Sequence, residues 1–192
     1  RVGRPRLLWA SDTIRYYLRF ADDWRPTVDG GKLPGLSGTY GRAGWGGRPV
    51  NGTNGWSLRG HFNRAPSPAN PLRDRITVGT YAYHADMTDK FGDLWSWLAD
   101  GVGVLERNRW YCLEQRLKIN TPGKTDGIFQ AWVDGVLALE KRDVNVRTVP
   151  DLRIERVWMN VYHGGTARAA RDMHLYIDNV VVARKPIGCR SS

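Results

Sequence analysis

Hydrophobic and polar residues alternate with period two along most of the chain, the signature of strands with one face buried. In TIRYYLRF, residues 13–20, Ile14, Tyr16, Leu18 and Phe20 fall on one side and Arg15, Tyr17 and Arg19 on the other. Similar runs occupy 55–62, 76–84, 109–120, 127–133, 136–141, 153–163 and 173–184, each bounded by Gly, Pro, Asn or Asp. The pattern therefore predicts about eight strands and almost no helix. Between 127–133 and 136–141 stands Asp134-Gly135, a dipeptide that favours a two-residue hairpin turn with positive φ. FGDLWSWL at 91–98 is expected to be one short helix or a loop with aromatic anchors, and 63–75 a Pro-rich loop. DGGKLPGLSGTY at 29–40 is expected to be a Gly- and Pro-constrained turn segment holding Lys32 in one place. Strands at this spacing imply a single all-β domain over 1–192, a jelly-roll β-sandwich of two antiparallel sheets with a concave groove.

Alternation also assigns the polar faces. Trp56, Leu58 and Phe62 lie opposite Ser57, Arg59 and His61; Ile76, Val78 and Ala82 lie opposite Thr77, Gly79, Tyr81 and Tyr83. Tyr111, Leu113, Leu117 and Ile119 are separated from Glu114, Arg116 and Lys118. If these polar faces line one sheet, they make a surface of Arg, Lys, Tyr, Ser and His with few carboxylates.

Composition narrows the functions such a surface can serve. The 192 residues carry 29 Lys and Arg against 19 Asp and Glu, a formal charge of +10, which attracts polyanions of any kind. The basic residues are scattered singly, unlike a nucleic-acid-binding tail. No run approaches the roughly 18 apolar residues of a membrane span. The chain starts at Arg1 without Met or an apolar leader, as a mature or trimmed polypeptide would. Cys112 and Cys189 are too far apart for a Cys-x-x-Cys motif and leave two options, a disulfide or two buried thiols. His61, His84, His163 and His174 show no metal-ligand spacing, and no cofactor-binding motif is present. Glu106, Glu114, Glu140 and Glu155 are isolated, without the paired carboxylates of a sandwich glycosidase.

Several stretches, in order, resemble the polysaccharide lyase 14 family of alginate and glucuronan lyases. They are GGKLPGL (30–36), NGWSLRG (54–60), the Tyr-x-Tyr of TYAYHAD, NRWYCLEQRLKINTPGKTDGIFQAWVDG (108–135), MNVYHGG (159–165) and HLYIDNVVVARKPIG (174–188). The resemblance implies a jelly roll whose catalytic residues are Lys32, Ser57, Arg59, Tyr81 and Tyr83. Arg15, Tyr17, Arg19, His61, Arg116, Lys118 and His163 are the accompanying candidates for substrate binding. It further implies a secreted, monomeric enzyme that needs no metal or cofactor and acts on an acidic polysaccharide, with neither nucleic acid nor membrane as partner. The sequence departs from the pattern at Gly60-His61-Phe62, where a bulkier Met-Trp pair is expected after the arginine, and in a longer 63–75 loop.

β-Elimination from a uronate requires neutralisation of the carboxylate, a base for the C5 proton and an acid for the departing O4. Arg59 suits the carboxylate, with Ser57 as a supporting donor. Lys32 as base with a tyrosine as acid, and tyrosine as base with Lys32 as charge neutraliser, both fit. A non-catalytic module binding acidic glycan, or a binder of nucleic acid or another polyanion, are the alternative readings of the same basic face.

Overall fold

The computed structural model describes residues 11–25, 29–63, 72, 75–169 and 171–190. Alternating side chains pair into two antiparallel sheets. One has the order β12 (Leu175–Ala183), β1 (Ser11–Phe20), β7 (Tyr111–Lys118), β8 (Gly127–Val133), β9 (Val136–Val144). The other runs β10 (Arg156–Trp158), β2 (Gly31–Gly38), β3 (Trp56–Asn63), β4 (Ile76–Tyr83), β5 (Asp93–Ser96), with β11 (Tyr162–His163) also on β2 and β6 (Val104–Leu105) also on β4. Ile14, Tyr16, Leu18 and Phe20 from the first sheet meet Leu33, Leu36, Trp56, Leu58 and Phe62 from the second in one continuous apolar core. This is the β-sandwich expected from the periodicity, and every strand pair in it is antiparallel. The hairpin is as expected too, with Asp134 at φ 51° and Gly135 at φ 81°.

Three expectations need correction. Residues 31–38 form a fully buried inner strand of the second sheet rather than a turn. Its glycines conceal it: a Cβ at Gly31 would collide with the Phe62 ring, and one at Gly35 with the Leu58 carbonyl, so close approach of neighbouring strands demands Gly where alternation would show side chains. Second, 91–98 contains β5, held to β4 through Leu94 opposite Tyr81, and the helical element nearby is one 3-10 turn at Ala99–Gly101. Third, 153–163 breaks into two short strands, β10 and β11. Most of the Pro-rich loop, 64–71 and 73–74, lies outside the described residues.

Pro34 sits inside β2 because the strand bulges there, between Leu33 and Gly35, so its missing N–H breaks no ladder bond. The Pro34 carbonyl turns into the core and accepts from Gln115 Nε2 at 2.9 Å, with the Tyr16 hydroxyl at 3.5 Å. Of the two options for the cysteines, the disulfide is formed: Cys112 and Cys189 are joined, tying the C-terminal segment to the outer face of the first sheet. There Glu114 accepts from the amides of Ile187 and Gly188, and Tyr17 Oη accepts from that of Arg190.

Candidate active site

Strand register on the outer face of the second sheet lines up three cross-strand rows. Tyr162, Lys32, His61, Gly79 and Ser96 form the first; Trp158, Gly35, Arg59, Tyr81 and Leu94 the second; Arg156, Ser37, Ser57 and Tyr83 the third. The five residues picked out as catalytic thus converge on β2, β3 and β4, and these rows contain no carboxylate.

At the centre, Lys32 Nζ lies 3.7 Å from the centroid of the Tyr81 ring, and His61 stacks on the same ring at 5.8 Å and 22°. The Arg59 guanidinium lies 4.8 Å from the Trp158 ring and 5.8 Å from the Tyr81 ring, and its Nη1 donates to Asn160 Oδ1 at 3.0 Å. Its Nε is buried and has no partner among the described residues. Lys32, Arg59 and His61 are all nearly buried, and desolvation sets their protonation. Burial, then the Arg59 charge, lowers the Lys32 pKa to about 8. Burial, with Lys32 and Arg59 adding to it, drives His61 down to about 3, so its ring is neutral. Tyr81 moves the other way, to about 12, through burial and then the neighbouring Tyr83. The site therefore offers an amine that loses its proton readily and a phenol that keeps its own.

Ser57 and Tyr83 lie deepest of the five. Both are fully buried. Ser57 Oγ donates to the Gly44 carbonyl at 2.6 Å, and Tyr83 Oη accepts from the Gly47 amide at 3.1 Å. Ala43 and Val50 pack on Tyr83, so the pair fastens the 43–50 loop over one end of the rows.

Five of the substrate-binding candidates lie elsewhere. Arg15, Tyr17 and Arg19 on β1, with Arg116 and Lys118 on β7, belong to the outer face of the first sheet, on the opposite side of the sandwich. Alternation separates inside from outside but cannot say which of two sheets a strand joins. His163 is also misplaced: it pairs with Gly31 while its neighbour Tyr162 pairs with Lys32, so Tyr162 shares the catalytic face and His163 the reverse one. His61 is where it was expected.

Trp158, Asn160 and Tyr162 are the site residues not singled out from sequence. Their even spacing in RVWMNVYH placed them on one face, and MNVYHGG was already among the resembling segments. The break between β10 and β11 falls beside the Pro34 bulge, and from that break Asn160 reaches Arg59.

The description "Polysaccharide lyase 14" belongs to a family model that matches residues 77–180, from β4 into β12, taking in Tyr81, Tyr83, Trp158, Asn160 and Tyr162. No curated protein matches the chain. Among solved structures, a double mutant of alginate lyase Aly36B in complex with alginate trisaccharide is similar at 24% identity and TM-score 0.76, over 92% of this chain and 71% of that one. Alginate lyase vAL-1 from Chlorella virus aligns at 19% identity and TM-score 0.68, over 92% and 72%. The endo-β-1,4-glucuronan lyase of the fungus Trichoderma reesei does so at 15% and 0.53, over 95% and 71%. At these identities the structural likeness speaks for the shared fold. The family match covers more than half of the chain, and the chain belongs to the polysaccharide lyase 14 family.

Proposed function

We propose that the protein cleaves an acidic, uronate-containing polysaccharide by β-elimination in the Lys32–Arg59–Tyr81 groove. The observation that carries this reading is the contact of the buried Lys32 amine with the Tyr81 ring at 3.7 Å, beside Arg59, on a face without carboxylates. Arg59 takes the uronate carboxylate through its guanidinium, held in place by Asn160 and Trp158. Neutral His61 adds a hydrogen bond without adding charge. With the carboxylate's charge countered, the C5 proton becomes acidic enough to pass to neutral Lys32 Nζ. The C5–H electron pair becomes the C4=C5 double bond, the C4–O4 bond breaks, and the Tyr81 hydroxyl gives its proton to O4. The lowered affinity of Lys32 for a proton and the raised one of Tyr81 favour this assignment over the reverse. Ser57 and Tyr83 act as positioning residues for the 43–50 loop.

Aly36B binds an alginate trisaccharide, which supports alginate or a related polyuronate as the substrate class. In this reading residues 1–192 are one monomeric domain working outside the cell, where the Cys112–Cys189 disulfide is stable. The test is incubation with polymannuronate, polyguluronate, glucuronan and hyaluronan while following ultraviolet absorbance of the unsaturated uronate. The reading fails if no polymer yields it, and the role of Lys32 fails if Lys32→Ala turns over near the wild-type rate.

A further inference from the structure

The outer face of the first sheet repeats, far from the groove, the arrangement that surrounds Arg59. Arg19 on β1 pairs with Tyr176 on β12, and on its other side Trp110 immediately precedes Tyr111, the partner of Leu18. The Arg19 guanidinium carbon lies 5.5 Å from the Trp110 ring centroid and 4.6 Å from that of Tyr176. In the groove, Arg59 lies between Trp158 and Tyr81 in the same way. The two aromatic residues at the back are the more open, with Trp110 41% and Tyr176 42% exposed.

Charge on this face points to an anionic partner. Among the described residues no carboxylate pairs with Arg19, and its Nε is buried without an acceptor. Glu114 on β7, which accepts from the amides of Ile187 and Gly188, and Asp178 on β12, which accepts from the Asn179 amide, set two carboxylates against Arg15 and Arg19 on β1 and the basic residues of β7, which leaves an excess of positive charge. Arg116 and Lys118 extend the positive charge along β7. Among the described residues Lys32 and His61 have no counterpart at the back, so the face has the elements of binding without those of elimination.

We propose that the Tyr176–Arg19–Trp110 row is a second binding site for the acidic polysaccharide, one that anchors the polymer while the groove cleaves it. The aromatic rings stack on sugar faces, and Arg19 donates to a uronate carboxylate. The two aromatics stand two strands apart, about 10 Å at the usual strand spacing, which matches sugars two positions apart along an extended chain. The identity of the polymer rests on the function proposed above; the site itself does not.

Affinity electrophoresis in gels containing alginate, with dextran as a neutral control, tests the site in the Lys32→Ala/Arg59→Ala variant, whose groove is disabled. Residual retardation by alginate but not by dextran is expected, weakened about tenfold by adding Trp110→Ala/Tyr176→Ala and restored by Trp110→Phe/Tyr176→Phe. Thermal melting checks that these surface changes leave the fold intact. The proposal is overturned if residual retardation is absent, or if the alanine pair leaves it unchanged. The elimination assay on the wild-type chain reads the lyase function separately. Product formation with unchanged retardation removes only the second site, whereas face-dependent retardation without product removes only the lyase reading.

Discussion

Replacing Lys32 by Met should abolish turnover and at the same time stabilise the protein. The buried amine accepts a proton with a pKa of about 8 against an ordinary 10.5, which costs the folded state about 3 kcal/mol wherever the lysine is protonated in both states. Met has nearly the same length and keeps the contact with the Tyr81 ring without a charge to desolvate. Allowing for imperfect packing and the lost attraction of cation to ring, the net gain at pH 7 is about 1–3 kcal/mol, or a rise of about 2–12 °C in Tm for a domain of this size. The sign follows from proton binding. Between about pH 8 and 10.5 the unfolded chain holds a proton that the folded chain has released, so wild-type stability rises through that window. The advantage of the variant is therefore full below pH 8 and fades toward pH 10.5. Urea denaturation at pH 7 and pH 10 measures both effects. A variant less stable than wild type at pH 7, or a gain that persists undiminished at pH 10, would refute the claim that desolvation governs this lysine.

The same lowered pKa predicts that kcat/KM climbs about tenfold per pH unit below about 8 and levels off above it; a profile that falls over that range would make protonated Lys32 the active form. Asn160→Ala removes the acceptor that holds Arg59 and should lower kcat/KM by about 10- to 100-fold with little change in melting temperature, whereas an unaltered rate would show Arg59 to be held by its aromatic neighbours alone. Ser57→Ala leaves the Gly44 carbonyl without its buried donor, at about 1–3 kcal/mol, and its kinetic effect should appear in kcat through the loosened 43–50 loop; unchanged stability with a raised KM would return Ser57 to the substrate. Reducing the disulfide, or Cys112→Ser/Cys189→Ser, opens a closure of 77 residues and should cost about 4 kcal/mol, yet activity at low temperature should survive, because the bond lies on the sheet that faces away from the groove.

How much of this was legible beforehand depended on what side-chain alternation can encode. It recovered β1, β3, β4, β7, β8, β9 and β12 and, within β3 and β4, the faces bearing Ser57, Arg59, His61, Tyr81 and Tyr83, because each strand turns one apolar side to the core. It failed where glycine replaces side chains: β2, which carries Lys32, shows no alternation because neighbouring backbones and rings fill the space its side chains would take. It failed again at sheet membership. Arg15 and Arg59 both stand on polar faces, but only the order of hydrogen-bonded strands sends one to the back and the other to the groove. Ser57 shows a third gap, since periodicity gives a side chain's direction and not whether a loop carbonyl already occupies it.

The bulge at Pro34 joins fold and chemistry most directly. Proline in an inner strand has no amide to offer, so the chain must arch there, and the arch sets Lys32 opposite His61 and Gly35 opposite Arg59 in adjoining rows. The arch also turns a carbonyl into the apolar core, a group whose desolvation must be offset. Gln115, from β7 of the other sheet, supplies the donor. Tyr16 stands alongside, its phenol kept protonated by full burial. Gly60, between Arg59 and His61, has no side chain because one would press on Leu33, the Pro34 carbonyl and Tyr16. The Gly60 of the departing Gly-His-Phe segment is thus required by the back of the sheet, while His61 answers to the front. The strand that carries the amine is therefore tied across the whole thickness of the sandwich by a polar contact from Gln115, a residue that an inspection of the outer face alone would not include.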